Sequence, residues 1–89
     1  TINPLIPESW YERGLALYRL GLYKEALQSF EGALNIDKRY LDAWNNKGVT
    51  LDKLGRYREA INCYETILKI KPWDTKAWQN EDLLRRKLG

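Results

Sequence analysis

The chain has 89 residues, of which 44% are hydrophobic and 30% charged, with four Trp and six Tyr, a composition that suits one small domain with a core and a solvated exterior. No run of about 18 apolar residues exists to span a membrane, and the first residues lack the charged-then-apolar order of a signal peptide. With no His, one Cys and a formal net charge of only +3, the usual general base, the commonest metal ligand, an internal disulfide and a broad basic surface are all missing.

Residues 1–6 form an N-terminal extension too short for a helix, whose Ile2, Leu5 and Ile6 are expected to cover an apolar end. Thr1 in place of an initiator Met reads as a processed chain or an excised piece. A first helix is predicted from Pro7, because proline lacks only an N–H that the first turn leaves unpaired anyway, to about Leu20, where Gly21 stops it. Trp10, Gly14, Leu17 and Gly21 fall on one side of it at spacings of three and four, and Gly14 lets a neighbouring helix come close. A second helix follows from about Lys24 to Ile36, with Ala26, Leu27, Phe30, Ala33 and Leu34 facing inward. Only Gly21, Leu22 and Tyr23 lie between, so the two must fold back as an antiparallel hairpin. The same pattern predicts helices over 41–54 and 58–70, the latter ended by Lys71-Pro72. Asp74 is the predicted N-cap of a fifth helix over 75–88.

These elements recur with a period of 34 residues. Trp10, Trp44 and Trp78 share one register, as do Leu20-Gly21, Leu54-Gly55 and Leu88-Gly89. Tyr23 is matched by Tyr57, Glu25-Ala26 by Glu59-Ala60, Phe30 by Tyr64, Leu34 by Leu68 and Ile36 by Ile70. A fixed period of this length marks a stacked repeat. The block Ala43-Trp44, Gly48, Leu51, Gly55-Arg56-Tyr57, Glu59-Ala60, Tyr64, Ile67 and Pro72 resembles the tetratricopeptide repeat family in its front tryptophan, helix glycine, turn glycine and tyrosine, second-helix alanine and aromatic, and closing proline. The resemblance implies an all-α solenoid of antiparallel helix pairs with five helices: repeat 1 over residues 7–40, repeat 2 over 41–74, and a capping helix over 75–89. Asp82 stands where Gly14 and Gly48 admit a partner helix, with Glu81, Arg85 and Arg86 beside it, which favours a cap with Ala77, Trp78, Leu84 and Leu88 inward and the charges in water. The competing reading is a repeat cut at Gly89. The Ala-Trp-Asn-Asn-Lys-Gly run looks like archaeal members of the family.

In this family the first helix of each pair lines a concave groove. The resemblance places Tyr11, Leu15 and Tyr18 there from repeat 1, Asn45, Asn46, Val49, Asp52 and Lys53 from repeat 2, and Lys76, Gln79, Asn80 and Leu83 from the fifth helix. The expected function is a non-catalytic protein–protein interaction module that docks an extended or helical peptide, with tyrosines for contact area and Asn45 and Asn80 for the peptide backbone. The competing role for Tyr11, Leu15 and Tyr18 is packing against the N-terminal segment. Family members that clamp the terminal carboxylate of chaperone tails use two lysines, two asparagines and an arginine. Asn46 and Lys76 match two of these positions, whereas Tyr11 and Leu15 replace a lysine and an asparagine and Asn80 replaces the arginine, which disfavours that ligand.

Catalysis finds no support. Ser9 and Ser29 lie in helical patterns without a strained turn, no phosphate-binding glycine loop exists, and Cys63 beside Tyr64 reads as a small packing residue. No cofactor or metal is expected. Homo-oligomerisation through Ile2, Leu5 and Ile6 is the alternative role. Nucleic-acid binding is a weaker one, since the basic excess behind a pI of 9.1 gathers only at Arg85-Arg86-Lys87. The lone thiol and the lack of a membrane span suit the cytoplasm.

Overall fold

The computed structural model describes residues 5–89, so the expected role of Ile2 lies outside the described residues. Five helices follow in order: α1 (Pro7–Arg19), α2 (Tyr23–Ile36), α3 (Leu41–Lys53), α4 (Tyr57–Ile70) and α5 (Thr75–Leu88), with no strand among the described residues. The boundaries lie within one residue of those read from the sequence pattern.

Two glycines make the hairpins. Gly21 and Gly55 sit at φ 79° and 77°, a left-handed conformation that a side chain would strain. The amide of Gly21 donates to Tyr18 and that of Leu22 to Leu17, at 2.9 Å each, closing the open carbonyls at the end of α1. Gly55 and Arg56 repeat both bonds at the end of α3, at 3.0 and 2.9 Å, so the chain reverses identically twice.

Two other glycines let the paired helices touch. A methyl group on Gly14 would stand 2.5 Å from the Phe30 ring, and one on Gly48 would stand 2.8 Å from Tyr64. The helix that Gly14 admits is therefore its own hairpin partner. Alanines at 26, 33, 43 and 60 are fully buried between the helices. Leu27 of α2 belongs to one cluster with Leu51, Ala60, Ile67, Ala77 and Leu84, so it ties the first hairpin to the second and, through that core, to α5. Burying a side chain of this size stabilises by about 1.5–3 kcal/mol.

Each seam between a hairpin and the next helix carries a tryptophan clasp. The indole N–H of Trp44 donates to the Lys38 carbonyl at 2.8 Å, and that of Trp78 to the Pro72 carbonyl at 2.7 Å. Both bonds reach six residues back and tie an interhelical loop to the helix it feeds. The Asp74 carboxylate accepts from the Ala77 amide at 3.2 Å, as an N-cap should.

Helix α5 differs from the sequence reading in which side it buries. Ala77, Glu81 and Leu84 pack onto α4, while Trp78 and Leu88 are 51% and 44% exposed. Trp78 and Leu88 face a side on which no described element packs, so they gain burial from one neighbour alone. Glu81, expected in the solvated face, is only 9% exposed. Arg85 makes that burial tolerable: it lies 3.4 Å from Glu81 and 2.9 Å from Glu65 of α4, pairing the desolvated carboxylate with a cation at the seam.

Candidate partner-binding face

Side-chain bonds place α1, α3 and α5 in one layer. Asn46 of α3 donates to the Tyr11 hydroxyl of α1 at 2.9 Å, and Lys87 of α5 donates to Asp52 of α3 at 2.8 and 3.1 Å. Helices α2 and α4 lie behind, against Gly14 and Gly48. The face in question is the one that α1, α3 and α5 turn away from that second layer.

Its centre is an apolar row. Leu15, Val49 and Leu83 share one register, 34 residues apart, on three successive helices. Leu15 and Val49 are half-buried and Leu83 is 55% exposed. Beside the row, the side chains of Asn45, Gln79 and Asn80 make no hydrogen bond among the described residues, leaving donors and acceptors open. Lys53, Lys76 and Gln79 are exposed, and neither lysine is in an ion pair among the described residues.

The remaining groove candidates are engaged within the chain. Tyr11 stacks on Tyr40 with ring centroids 5.1 Å apart and lies 5.8 Å from Phe30. Burial, then the Asp42 carboxylate, raises its phenol above the ordinary value. Tyr18 packs on Tyr23 across the first turn at 5.2 Å. Asn46 is held twice, by the Tyr11 hydroxyl and by the Asp42 carbonyl at 3.1 Å. Asp52 is neutralised by Lys87, whose ammonium also lies 5.5 Å from the Tyr57 ring centroid. That hydrogen bond to Asp52 raises the ammonium pKa. Tyr11 and Tyr18 are thus partly used in packing against described neighbours, Tyr40 and Tyr23 among them.

Two residues of this region were missed by the periodic reading. Lys87 was legible, since it follows Leu83 by one helical turn on the same stripe. Tyr40 was not, because its counterpart 34 residues on is Asp74 and the repeat carries no aromatic signal there.

The arrangement offers no reactive group. Burial pushes the Cys63 thiol up to about 11, so it stays protonated and inert near neutral pH. Among the described residues, no three His, Cys, Asp or Glu side chains gather as metal ligands, and no helix is long and apolar enough to cross a membrane.

Comparison with known proteins follows the geometry. No curated protein matches the sequence. A crystal structure of MamA is similar with a TM-score of 0.94 and 26% identity over 98% of this chain and 51% of that one. The chain thus spans about half the length of that relative. The TPR domain of Arabidopsis OM64 is similar with a TM-score of 0.87 and 27% identity, over 94% of this chain and 69% of that one. The first TPR of Spaghetti (RPAP3), bound to the HSP90 peptide SRMEEVD, shares the fold with a TM-score of 0.91 at 23% identity, over 97% of this chain and 68% of that one. The tetratricopeptide repeat pattern matches residues 7–40 and again residues 41–74. With both hairpins matched in sequence and the helix order shared in space, the chain belongs to the tetratricopeptide repeat family.

Proposed function

We propose that the chain is a non-catalytic interaction module that docks a segment of a partner protein along the face of α1, α3 and α5. The observation that carries this reading is the row Leu15, Val49 and Leu83, apolar at one register on three helices and flanked by unengaged amides. An apolar strip with open hydrogen-bonding groups beside it suits a segment that buries alternate side chains and bonds through its backbone. In this reading Lys53, Lys76, Gln79 and Asn80 contact the partner, α5 serves as the cap of the two repeats, and Tyr11, Asn46 and Asp52 hold the face in shape. The free Cys63 agrees with a reducing, cytoplasmic setting.

The test is a peptide-library screen of the wild-type chain beside Val49→Glu/Leu83→Glu. The double variant is expected to keep its helical circular dichroism spectrum and to lose the peptides that the wild type retains. Equal retention by both proteins rejects the face.

A second reading, self-association, draws on the first helix end, where Leu5 is 81% and Leu20 72% exposed. Sedimentation equilibrium across a wide concentration range decides it. A constant monomer mass rejects it.

A further inference from the structure

The proposed docking face changes charge from one end to the other. At the α1–α3 end stand the carboxylates of Glu8, Glu12 and Asp42, all exposed. Among the described residues none of the three is in an ion pair, although six ion pairs form elsewhere on the chain. They surround two tyrosines fixed by packing. Tyr11 is set between the Tyr40 and Phe30 rings and bonded by Asn46 at 2.9 Å, so neither it nor the Tyr40 ring stacked on it swings freely. After burial itself, Glu8, Tyr11, Asp42 and Glu12 together push the Tyr40 phenol up, which puts all three carboxylates within electrostatic reach of one hydroxyl. Arg19, further along α1, is the one cation whose field registers on Tyr11. At the α5 end the sign reverses, with Lys76 exposed and unpaired.

An aromatic face concentrates negative potential and attracts a cation, and unpaired carboxylates around it add to that attraction. We infer that the partner segment carries a lysine or arginine side chain that seats against Tyr11 and Tyr40, between Glu8, Glu12 and Asp42. This rests on the docking face proposed above and adds the chemistry of its occupant and the end at which the cation sits. An anionic group at that end meets three like charges and is rejected, so the same feature selects and orients the segment.

The probe is a positional library of extended peptides in which each position is fixed in turn as Lys, Arg, Ala, Glu or Asp. It is read by fluorescence anisotropy at low and physiological salt, with the full chain and with Glu8→Gln/Glu12→Gln/Asp42→Asn. The wild type is expected to prefer Lys or Arg at one position. The triple variant is expected to bind those pools about tenfold more weakly, as three solvent-exposed ion pairs allow, with the difference shrinking at higher salt. Binding of all pools alike, or preference for Glu and Asp at every position, overturns the cation site while leaving the docking face standing. Absence of binding by every pool overturns both. If sedimentation shows a dimer that the triple variant loses, the occupant is a second copy of the chain and the inference of a separate basic segment fails.

Discussion

The two seams of this molecule, α2 against α3 and α4 against α5, are built to one plan with different occupants. At the first, Trp44 packs against both core clusters, Lys47 lies 5.2 Å from the centroid of its ring, and Lys47 pairs with Glu31 at 3.5 Å. At the second, Trp78 makes the same loop bond but is half exposed, and Glu81 occupies the register of Lys47. The cation has moved to Arg85, which serves Glu65 and Glu81 at once. The clasp is thus set by the seam alone, whereas the burial of its indole depends on the helix that follows. Charge at a seam is conserved as a pairing rather than as a residue type at a given position.

The largest expected effect tests that dependence on the following helix. Trp44→Ala opens contacts to both clusters and should cost about 3 kcal/mol, near the lower end for removal of a large aromatic. Trp78→Ala removes a ring that is 51% exposed and should cost about 1 kcal/mol. Urea unfolding followed by circular dichroism gives both values. Equal losses would mean that the seam, not the next helix, accounts for the difference in exposure.

Next in size is a difference between the hairpins themselves. The position buried as Ser29 in the first is Cys63 in the second. The folded thiol is held up to about 11 from an ordinary value of 9.0, chiefly by desolvation. A raised folded pKa gives stability that is complete below the unfolded value and is lost as pH climbs toward the folded one, here from about 9 to about 11. Stability should fall by about 1 kcal/mol between pH 8 and pH 10 from this group. Tyr64, also raised mainly by burial, adds to the loss at still higher pH. Cys63→Ser should flatten the thiol's share of the pH 8 to pH 10 slope in urea titrations. An unchanged slope would assign the loss to other groups.

How much of this was readable beforehand depended on what repeats. Every helix, both hairpin turns and the apolar row at 15, 49 and 83 follow from the period and from glycine's tolerance of positive φ. What stayed hidden were contacts between unlike registers. Tyr11 with Tyr40 and Asn46, Asp52 with Lys87, and Glu81 with Arg85 and Glu65 each join positions that a one-repeat template never aligns. The error at Glu81 shows why: charge argued for solvent, and only the third dimension supplies the arginine that makes a nearly buried carboxylate tolerable.

The smallest expected effect separates the two pairings. Arg85→Ala leaves Glu81, with a side chain 11% exposed, beside α4 without its cation, whereas Lys47→Ala leaves Glu31, 46% exposed, free to turn to water. Arg85 is itself half exposed, so solvent screening limits its loss to about 1 kcal/mol. Lys47→Ala should cost about 0.5 kcal/mol, from an ion pair and a cation–ring contact that are both partly solvated. Because the Arg85 loss arises from an uncompensated carboxylate, Arg85→Ala/Glu81→Gln should recover most of it, while Lys47→Ala/Glu31→Gln should recover nothing measurable. A double-mutant cycle in urea at pH 7 reads both couplings. A coupling at Glu81 no larger than that at Glu31 would mean that α5 sits on α4 by its apolar contacts alone, and that Glu81 escapes burial by local fraying of the helix.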